Sequence, residues 1–234
     1  MSARDDILGR IRNGLGRGAL TGDAAGKVAA RVAEHRRNLI PARATSLEQA
    51  ARIDLFVAMA EVVQTTVARV SSAIDIPNEV ARYLAAENLP AELRMAPDAS
   101  LDAIPWSERP LLNVRLGKAE PGDAVSLTPC LAAIAETGTL MLVSGEATPT
   151  TLNFLPDTHI VVLRAHQVVA SYEDGWDLLR QRPGGGPQAL PRVVNFITGP
   201  SRTGDIEQKI ELGAHGPRRL HVIMVDDVAA DERK

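Results

Sequence analysis

The sequence predicts an α/β fold in which a mostly parallel β-sheet is flanked by helices and preceded by an N-terminal helical extension. From Thr66 onward, short apolar segments with strand character alternate with amphipathic segments of helical period. His159–Leu163 and Val193–Thr198 are continuous apolar runs, as expected of strands that are covered on both faces. We therefore predict a helical extension at 1–65 that packs on an α/β domain at 66–234.

The extension is predicted to contain three helices. Ser2 is placed to cap the first one, and the second runs over Ala24–Asn38. The third begins at Ser46, with Gln49 in the position that completes a capping box. Because the first two helices carry few large apolar residues, we expect them to pack on the body of the protein or on a second subunit of a homo-oligomer.

Strands and helices alternate along the predicted α/β domain. Strands are predicted at Val67–Val70, Glu92–Met95, Leu111–Leu116, Ala124–Leu127, Ala132–Glu136, Thr139–Ser144, His159–Leu163, Val193–Thr198 and Leu220–Val225. Helices are predicted from Pro77 to about Asn88, at Tyr172–Gln181 and at Asp205–Leu212. Three successive glycines make Pro183–Pro187 a predicted flexible loop.

Charge and cysteine content narrow the classes of function. The formal net charge is −3 and only 3% of the residues are aromatic, so we expect no nucleic-acid partner. Cys130 is the only cysteine, which excludes an internal disulfide, a four-cysteine zinc site and an iron–sulfur cluster held by this chain. Because the five histidines show no pairing at metal-ligand spacing, we expect no metal site. Electrons of any redox reaction would travel on another chain or on a non-covalently bound cofactor.

The N-terminus and the apolar runs indicate a soluble protein. Residues 1–6 are polar and acidic, unlike the start of a signal peptide. The apolar runs are far shorter than the roughly 20 residues that a spanning helix needs. We expect a cytoplasmic protein with no membrane span.

The first candidate functional segment is the turn from Glu136 through Thr137 and Gly138 to Thr139. It places a carboxylate directly before a tight turn between two apolar β segments, near the end of the sheet. Neighbouring amides would satisfy such a carboxylate in a purely structural turn. In a crevice, Glu136 would serve as a ligand contact, a general base or a nucleophile.

The second candidate is the loop from Gly199 to Asp205, between an apolar strand and a predicted helix. Glycine permits close approach, Ser201 and Thr203 offer hydroxyl donors, and Arg202 can grip a carboxylate or phosphate bidentately at a helix N-terminus. Alternatively, one of the hydroxyls caps the helix and Arg202 is solvated. The loop lacks both the Walker A ending and the dinucleotide-binding spacing, so it specifies neither ATP nor NAD.

His215, in the connection 213–219, is a third candidate, either as a proton carrier or as a hydrogen-bonded spacer. A single site requires the Glu136 turn and the Arg202 loop to converge on a common pocket at one rim of the sheet.

Four segments together resemble the lactate-utilization protein C (LutC/YkgG) family, which carries the LUD domain. They are Ala133–Thr139, Leu155–Val162, Thr198–Glu207 and Leu212–Val222, which match in order and spacing over the C-terminal half of the chain. The N-terminal helices match only in general character. Gly204 departs from the alanine usual in the family, a small-for-small change that should leave the backbone path intact.

The resemblance implies a fold like that of the NagB/RpiA/CoA-transferase group. It also implies a role in oxidising L-lactate to pyruvate with two iron–sulfur partner proteins, which would hold the clusters that this chain cannot bind. It supplies no established catalytic residue. Glu136-Thr137-Gly138 looks like the Glu-x-Gly turn in which CoA transferases place a nucleophilic glutamate, which attacks a thioester to give an acyl-glutamyl anhydride.

Three functions are therefore open. The first is a subunit of a lactate-oxidising system that binds a small carboxylate or phosphate ligand at the candidate residues. The second is a stand-alone transferase or ligase that acts on a CoA-linked or phosphorylated small molecule through Glu136. The third is a non-enzymatic small-molecule-binding module.

Overall fold

The computed structural model describes residues 2–16, 18–38, 40–182, 190–206 and 209–226, with the backbone alone at 204–206 and 209–211. The predicted loop Pro183–Pro187 lies outside these residues. The chain divides into two compact units, Met1–Leu39 and Ile40–Lys234. The predicted boundary at residue 65 lies within the second unit.

The first unit contains α1 (Ala3–Gly14) and α2 (Gly22–Glu34). Ser2 caps α1 as the sequence predicts: its hydroxyl accepts from the Asp5 amide at 3.3 Å, and the Asp5 carboxylate accepts from the Ser2 amide at 3.1 Å. The packing of these helices on the body or on a second subunit stays a prediction.

A six-stranded parallel sheet forms the centre of the second unit and confirms the predicted fold class. Its strand order is β1-β12-β7-β4-β2-β3, and every neighbouring pair is parallel. The strands are β1 (Thr66–Val70), β2 (Glu92–Met95), β3 (Asn113–Leu116), β4 (Val125–Pro129), β7 (Thr158–Arg164) and β12 (Arg219–Val225).

A smaller four-stranded sheet packs beside the large one. Its order is β8-β5-β6-β9, from β5 (Ala132–Ile134), β6 (Thr139–Val143), β8 (Val168–Val169) and β9 (Val194–Ile197). β5 and β6 form the predicted hairpin, which turns at Gly138 with φ +66°. The helices of this unit are α3 (Ala42–Thr45), α4 (Gln49–Val62), α5 (Ile76–Ala86), α6 (Ala99–Asp102), α7 (Thr151–Phe154) and α8 (Tyr172–Gln181).

Apolar cores lie on both faces of the large sheet. One face packs on α5 through residues that include Ile76, Val80 and Leu84. The other packs on α4 and the small sheet through residues that include Ile53, Phe56, Ala60, Ala133 and Leu140. Side chains of β7 alternate between these two cores, which confirms that this strand is covered on both faces.

The predicted helix at Asp205–Leu212 is wrong. β10 (Arg202–Ile206) and β11 (Lys209–Leu212) form a two-stranded antiparallel sheet here, with a register shift between Thr203 and Ile206. Because no helix begins after Gly199, the anion site expected at a helix N-terminus is absent from the described residues. Ser201 and Thr203 therefore have no helix to cap.

Two smaller predictions also fail. Val193–Thr198 is not covered on both faces, because β9, the edge strand of the small sheet in the described residues, is partly exposed along its length. The capping box at Ser46 does not form, because α4 begins at Gln49. The Gln49 side-chain amide nitrogen, Nε2, donates instead to the carbonyls of Ala165 at 2.9 Å and Val168 at 3.2 Å. These two bonds tie α4 to the segment that follows β7.

Candidate functional site

Two of the sequence-predicted segments meet at a cavity of about 220 Å³, here called the loop cavity. Gly199 and Ser201 approach it from the connection after β9, and His215 approaches from the connection before β12. The two connections are joined by backbone hydrogen bonds from Ser201 to Pro217 at 2.8 Å and from Gly213 to Ser201 at 2.9 Å. The lining comprises Asn153, Phe154, His159, Phe196, Ile197, Thr198, Gly199, Pro200, Ser201, His215, Gly216, Pro217 and Leu220.

Ser201 is held so that its hydroxyl proton is free for a ligand. The His215 amide donates to Ser201 Oγ at 3.3 Å. A hydroxyl that accepts one hydrogen bond still has a proton to donate. Among the described residues Ser201 Oγ donates to no acceptor, so this proton is available to the cavity.

A buried histidine that the sequence analysis treated only as part of an apolar strand lines the same cavity. His159, on β7, is 0% exposed, and its Nε2 lies 2.8 Å from Thr128 Oγ1 on β4. Its Nδ1 has no hydrogen-bond partner among the described residues. Burial lowers the pKa of His159 to about 3, so the ring is neutral at physiological pH. A histidine inside a continuous apolar strand is the sequence signal that points to such a group.

A cluster of hydroxyl groups links the Glu136 turn to the loop cavity. Thr139 Oγ1 lies 2.7 Å from Thr137 Oγ1, 3.0 Å from the Tyr172 hydroxyl and 2.7 Å from Thr198 Oγ1. Thr198 in turn lines the cavity. Thr137 and Thr139 therefore support the cavity wall through Thr198 and do not themselves line it.

Two glycines explain why the turn and the loop lie close together on α4. A Cβ atom on Gly138 would lie 2.4 Å from the backbone nitrogen of Ala60, and one on Gly199 would lie 2.4 Å from the carbonyl oxygen of Val63. Both glycines have positive φ, +66° and +82°. Gly138 and Gly199 thus allow two loops to touch the last turns of one helix.

Glu136 and Arg202 do not line the loop cavity. The Glu136 carbonyl accepts from Arg43 Nη2 at 2.6 Å, and its carboxylate makes no hydrogen bond or ion pair with another described residue. Arg202 Nη2 donates to the carbonyl of Val63 at 3.0 Å. Thr203 and Asp205 lie on β10, and Thr203 is also outside the lining. A catalytic role for Glu136 stays a prediction.

Comparisons with known proteins assign the family. A model of the LUD domain matches residues 123–225, a segment that contains every residue lining the loop cavity. Lactate utilization protein C of Deinococcus radiodurans is 34% identical over 164 residues, which cover 66% of this chain and 70% of that relative. This chain belongs to the lactate utilization protein C family.

Other members of the family align over a shorter segment. Lactate utilization protein C of Bacillus subtilis is 34% identical over 110 residues, which cover 47% of this chain and 45% of the relative. The Bacillus velezensis protein is 31% identical over 132 residues, which cover 56% and 53%. The chain thus spans about half the length of these two relatives.

A solved structure supports the same fold. The crystal structure of a DUF162 family protein from Deinococcus radiodurans has a TM-score of 0.59 and 26% sequence identity to this chain. The match covers 77% of this chain and 99% of that one.

This family member has a second, larger cavity, here called the strand-end cleft, which the sequence analysis did not identify. It lies at the carboxyl ends of β4 and β6, has a volume of about 370 Å³, and includes charged side chains of both signs: Asp98, Glu146 and Arg182. Asn153 lines both cavities. Thr128, which lines the cleft, is hydrogen-bonded through its Oγ1 to Nε2 of His159, which lines the loop cavity. Ligands of open α/β sheets commonly bind at the carboxyl ends of strands.

Within the described parts of the chain, no three His, Cys, Asp or Glu side chains are grouped to share a metal ion. In those same parts, no helix combines the length and apolar character needed to cross a bilayer.

Proposed function

We propose that this chain serves lactate utilization as a subunit that binds a small carboxylate in the loop cavity. The observation that carries the proposal is the composition of the lining: the described residues that line the cavity include no aspartate or glutamate, and the Ser201 hydroxyl is present as a donor. An acceptor-rich anion would meet donors here and no opposing carboxylate. The cavity volume of about 220 Å³ lies below the range of roughly 300–1,000 Å³ typical of drug-sized ligands, so it suits a small acid.

Electron transfer in this proposal belongs to iron–sulfur partner proteins. A single cysteine cannot hold a cluster, and Cys130 is buried, which raises the pKa of its thiol to about 12 and keeps it from acting as a thiolate. The name lactate utilization protein C, carried by the relatives, supports the assignment to this process. Affinity capture from the native host should recover cysteine-rich iron–sulfur proteins.

Binding of L-lactate and pyruvate to the purified chain tests the proposed ligand class. Gly216→Ala should weaken binding by about tenfold, because one added methyl group occupies part of a small site. Its Cβ atom would lie 3.5 Å from Ser201 Cβ and 3.7 Å from Phe154 Cδ1, ordinary contact distances that leave the fold intact. Isothermal titration calorimetry measures the affinity of each variant.

Ser201→Ala should also weaken binding, and Ser107→Ala is the matched control because this exposed serine lies outside the cavity. The proposal is wrong if the wild-type chain binds neither acid at millimolar concentration. It is also wrong if both cavity variants bind as the control does. A deletion strain that grows normally on lactate would remove the link to lactate utilization.

A further inference from the structure

The strand-end cleft lies where two neighbouring strands of the large sheet send their connections in opposite directions. β2 and β4 are adjacent and parallel, and the chain leaves β2 for β3 on one side and β4 for β7 on the other. Open α/β sheets bind ligands in the crevice at the carboxyl ends of such a strand pair. Asp98, in the connection after β2, and Thr128, on β4, both line the cleft.

The two connections also pack on opposite faces of the sheet. The connection after β2 contributes Leu101 and Ile104 to the core on the α5 face. The connection after β4 contributes Ala133 and Leu140 to the core on the α4 face. The cleft of about 370 Å³ therefore lies at the point where the connections diverge.

Three charged side chains line the cleft, and within the described part of the chain none of them forms an ion pair. Glu146 and Arg182 are exposed, and Asp98 is half-buried. Oδ1 of Asp98 accepts from the amide of Ser100 at 3.0 Å and from its hydroxyl at 2.6 Å, and its Oδ2 has no partner among those residues. The cleft thus offers two carboxylates and one guanidinium to a ligand.

These charges disfavour three classes of ligand. A bare anion would face two carboxylates, a simple cation would face Arg182, and an apolar molecule would take water from all three charges without replacing it. A zwitterion satisfies both signs, because its ammonium group pairs with carboxylates and its carboxylate pairs with a guanidinium. Ser144 adds a donor, since its Oγ accepts from the Val193 amide at 2.9 Å and keeps its own proton.

Apolar side chains form another part of the lining and indicate what else the ligand carries. Leu131, Leu142 and Val143 line the same cleft as the charged groups. Small-molecule sites combine such apolar walls with a few polar groups that fix the orientation of the ligand. The volume of about 370 Å³ lies within the range of roughly 300–1,000 Å³ typical of these sites.

We propose that the strand-end cleft binds an amino acid with an apolar side chain. Asp98 and Glu146 bind its ammonium group, Arg182 binds its carboxylate, and the apolar wall contacts its side chain. The ligand class and the binding residues differ from those of the loop cavity, so the inference goes beyond the proposed function and does not depend on it.

Calorimetric titration of the purified chain with L-norleucine, hexanoate and pentylamine tests the requirement for both charges. Hexanoate is norleucine without its ammonium group, and pentylamine is norleucine without its carboxylate. L-Norleucine should bind at least about threefold more tightly than either, because each analogue lacks the partner of one sign of charge in the cleft.

Neutral substitutions assign the two contacts. Asp98→Asn removes a charge and keeps the cap on α6, because asparagine caps a helix as well as aspartate does. It should weaken L-norleucine binding by about two- to fivefold without weakening hexanoate binding. Arg182→Gln should weaken binding of L-norleucine and hexanoate, but not of pentylamine. Asp102→Asn is the matched control, since Asp102 is exposed on α6 and does not line the cleft.

Three results would overturn the proposal. The first is that L-norleucine does not bind at millimolar concentration. The second is that hexanoate or pentylamine binds as tightly as L-norleucine, because one sign of charge would then contribute nothing. The third is that Asp98→Asn and Arg182→Gln both bind L-norleucine as the Asp102→Asn control does, which would place the amino acid outside the strand-end cleft.

Discussion

Gly138→Ala is expected to lower the free energy of unfolding by about 2 to 5 kcal/mol, the sum of a backbone penalty at positive φ and forced displacement of a packed helix. The φ of Gly138 is +66°, where a side chain is strained. The added Cβ would lie 2.4 Å from the backbone nitrogen of Ala60 and 2.5 Å from the carbonyl carbon of Met59. Those are main-chain atoms of α4, which cannot rotate away as a side chain would. Urea denaturation measures the loss.

Gly145→Ala is the matched control. Its Cβ would meet only Thr148 Oγ1, at 3.5 Å, and its backbone is not in the positive-φ region. A surface substitution of this kind is expected to change stability by less than about 0.5 kcal/mol. Equal stabilities of the two variants would show that the Glu136 turn does not pack on α4 as described.

The hairpin and the large sheet were predictable because their signals are local. Thr137-Gly138 lies between two apolar β segments, and the structure has β5 and β6 on either side of the turn. β7 is a continuous apolar run because cores cover both of its faces. Residue patterns within a few positions carry this information.

The segment 202–212 was not predictable in the same way. Ile206 and Ile210 are four residues apart, which favours a helix, while Ile210 and Leu212 are two apart, which favours a strand. Pairing of β10 with β11, including its register shift, decides between the two. The spacing of three apolar residues carries no information about which strands pair. The wrong prediction of a helix therefore placed Arg202 at a helix N-terminus that does not form.

The sequence identified the residues of the candidate site that lie in loops, but not those that lie in a strand or a short helix. Gly199, Ser201 and His215 lie in loops with turn-forming and hydrogen-bonding residues, and all three line the loop cavity. His159 and Asn153 come from β7 and α7, and their meeting at the same cavity depends on how the strands cross over. Nothing in their local sequence marks them as neighbours of Ser201.

Acidification from pH 6.5 to 4.5 is expected to destabilise the protein through two buried histidines. Burial lowers the pKa of His159 to about 3 from its usual 6.5. For His221 burial is again the main cause, Arg82 adds to it, Glu79 opposes it, and the pKa falls to about 4. The unfolded chain therefore binds protons in this range that the folded chain does not.

Each histidine contributes to the free energy of unfolding above pH 6.5, and this contribution is lost progressively as the pH falls toward the pKa of the folded state. The expected slope is about 1 kcal/mol per pH unit for each histidine. The pKa values of Glu79 and Asp123 are also lowered, from their usual 4.5 and 3.8, so these carboxylates add to acid unfolding mainly below this range.

His221→Phe isolates one of the two contributions. The His221 ring stacks on Tyr83 with ring centroids 3.9 Å apart, and its Nδ1 lies 2.8 Å from Thr66 Oγ1. Its Nε2 is 3.4 Å from Glu79 Oε1 without the geometry of a hydrogen bond. Phenylalanine keeps the stack and removes the titrating group, so the slope between pH 6.5 and 4.5 should fall by about half. A slope unchanged by this substitution would mean that His221 accepts a proton in the folded state, and that Glu79 outweighs burial at this position.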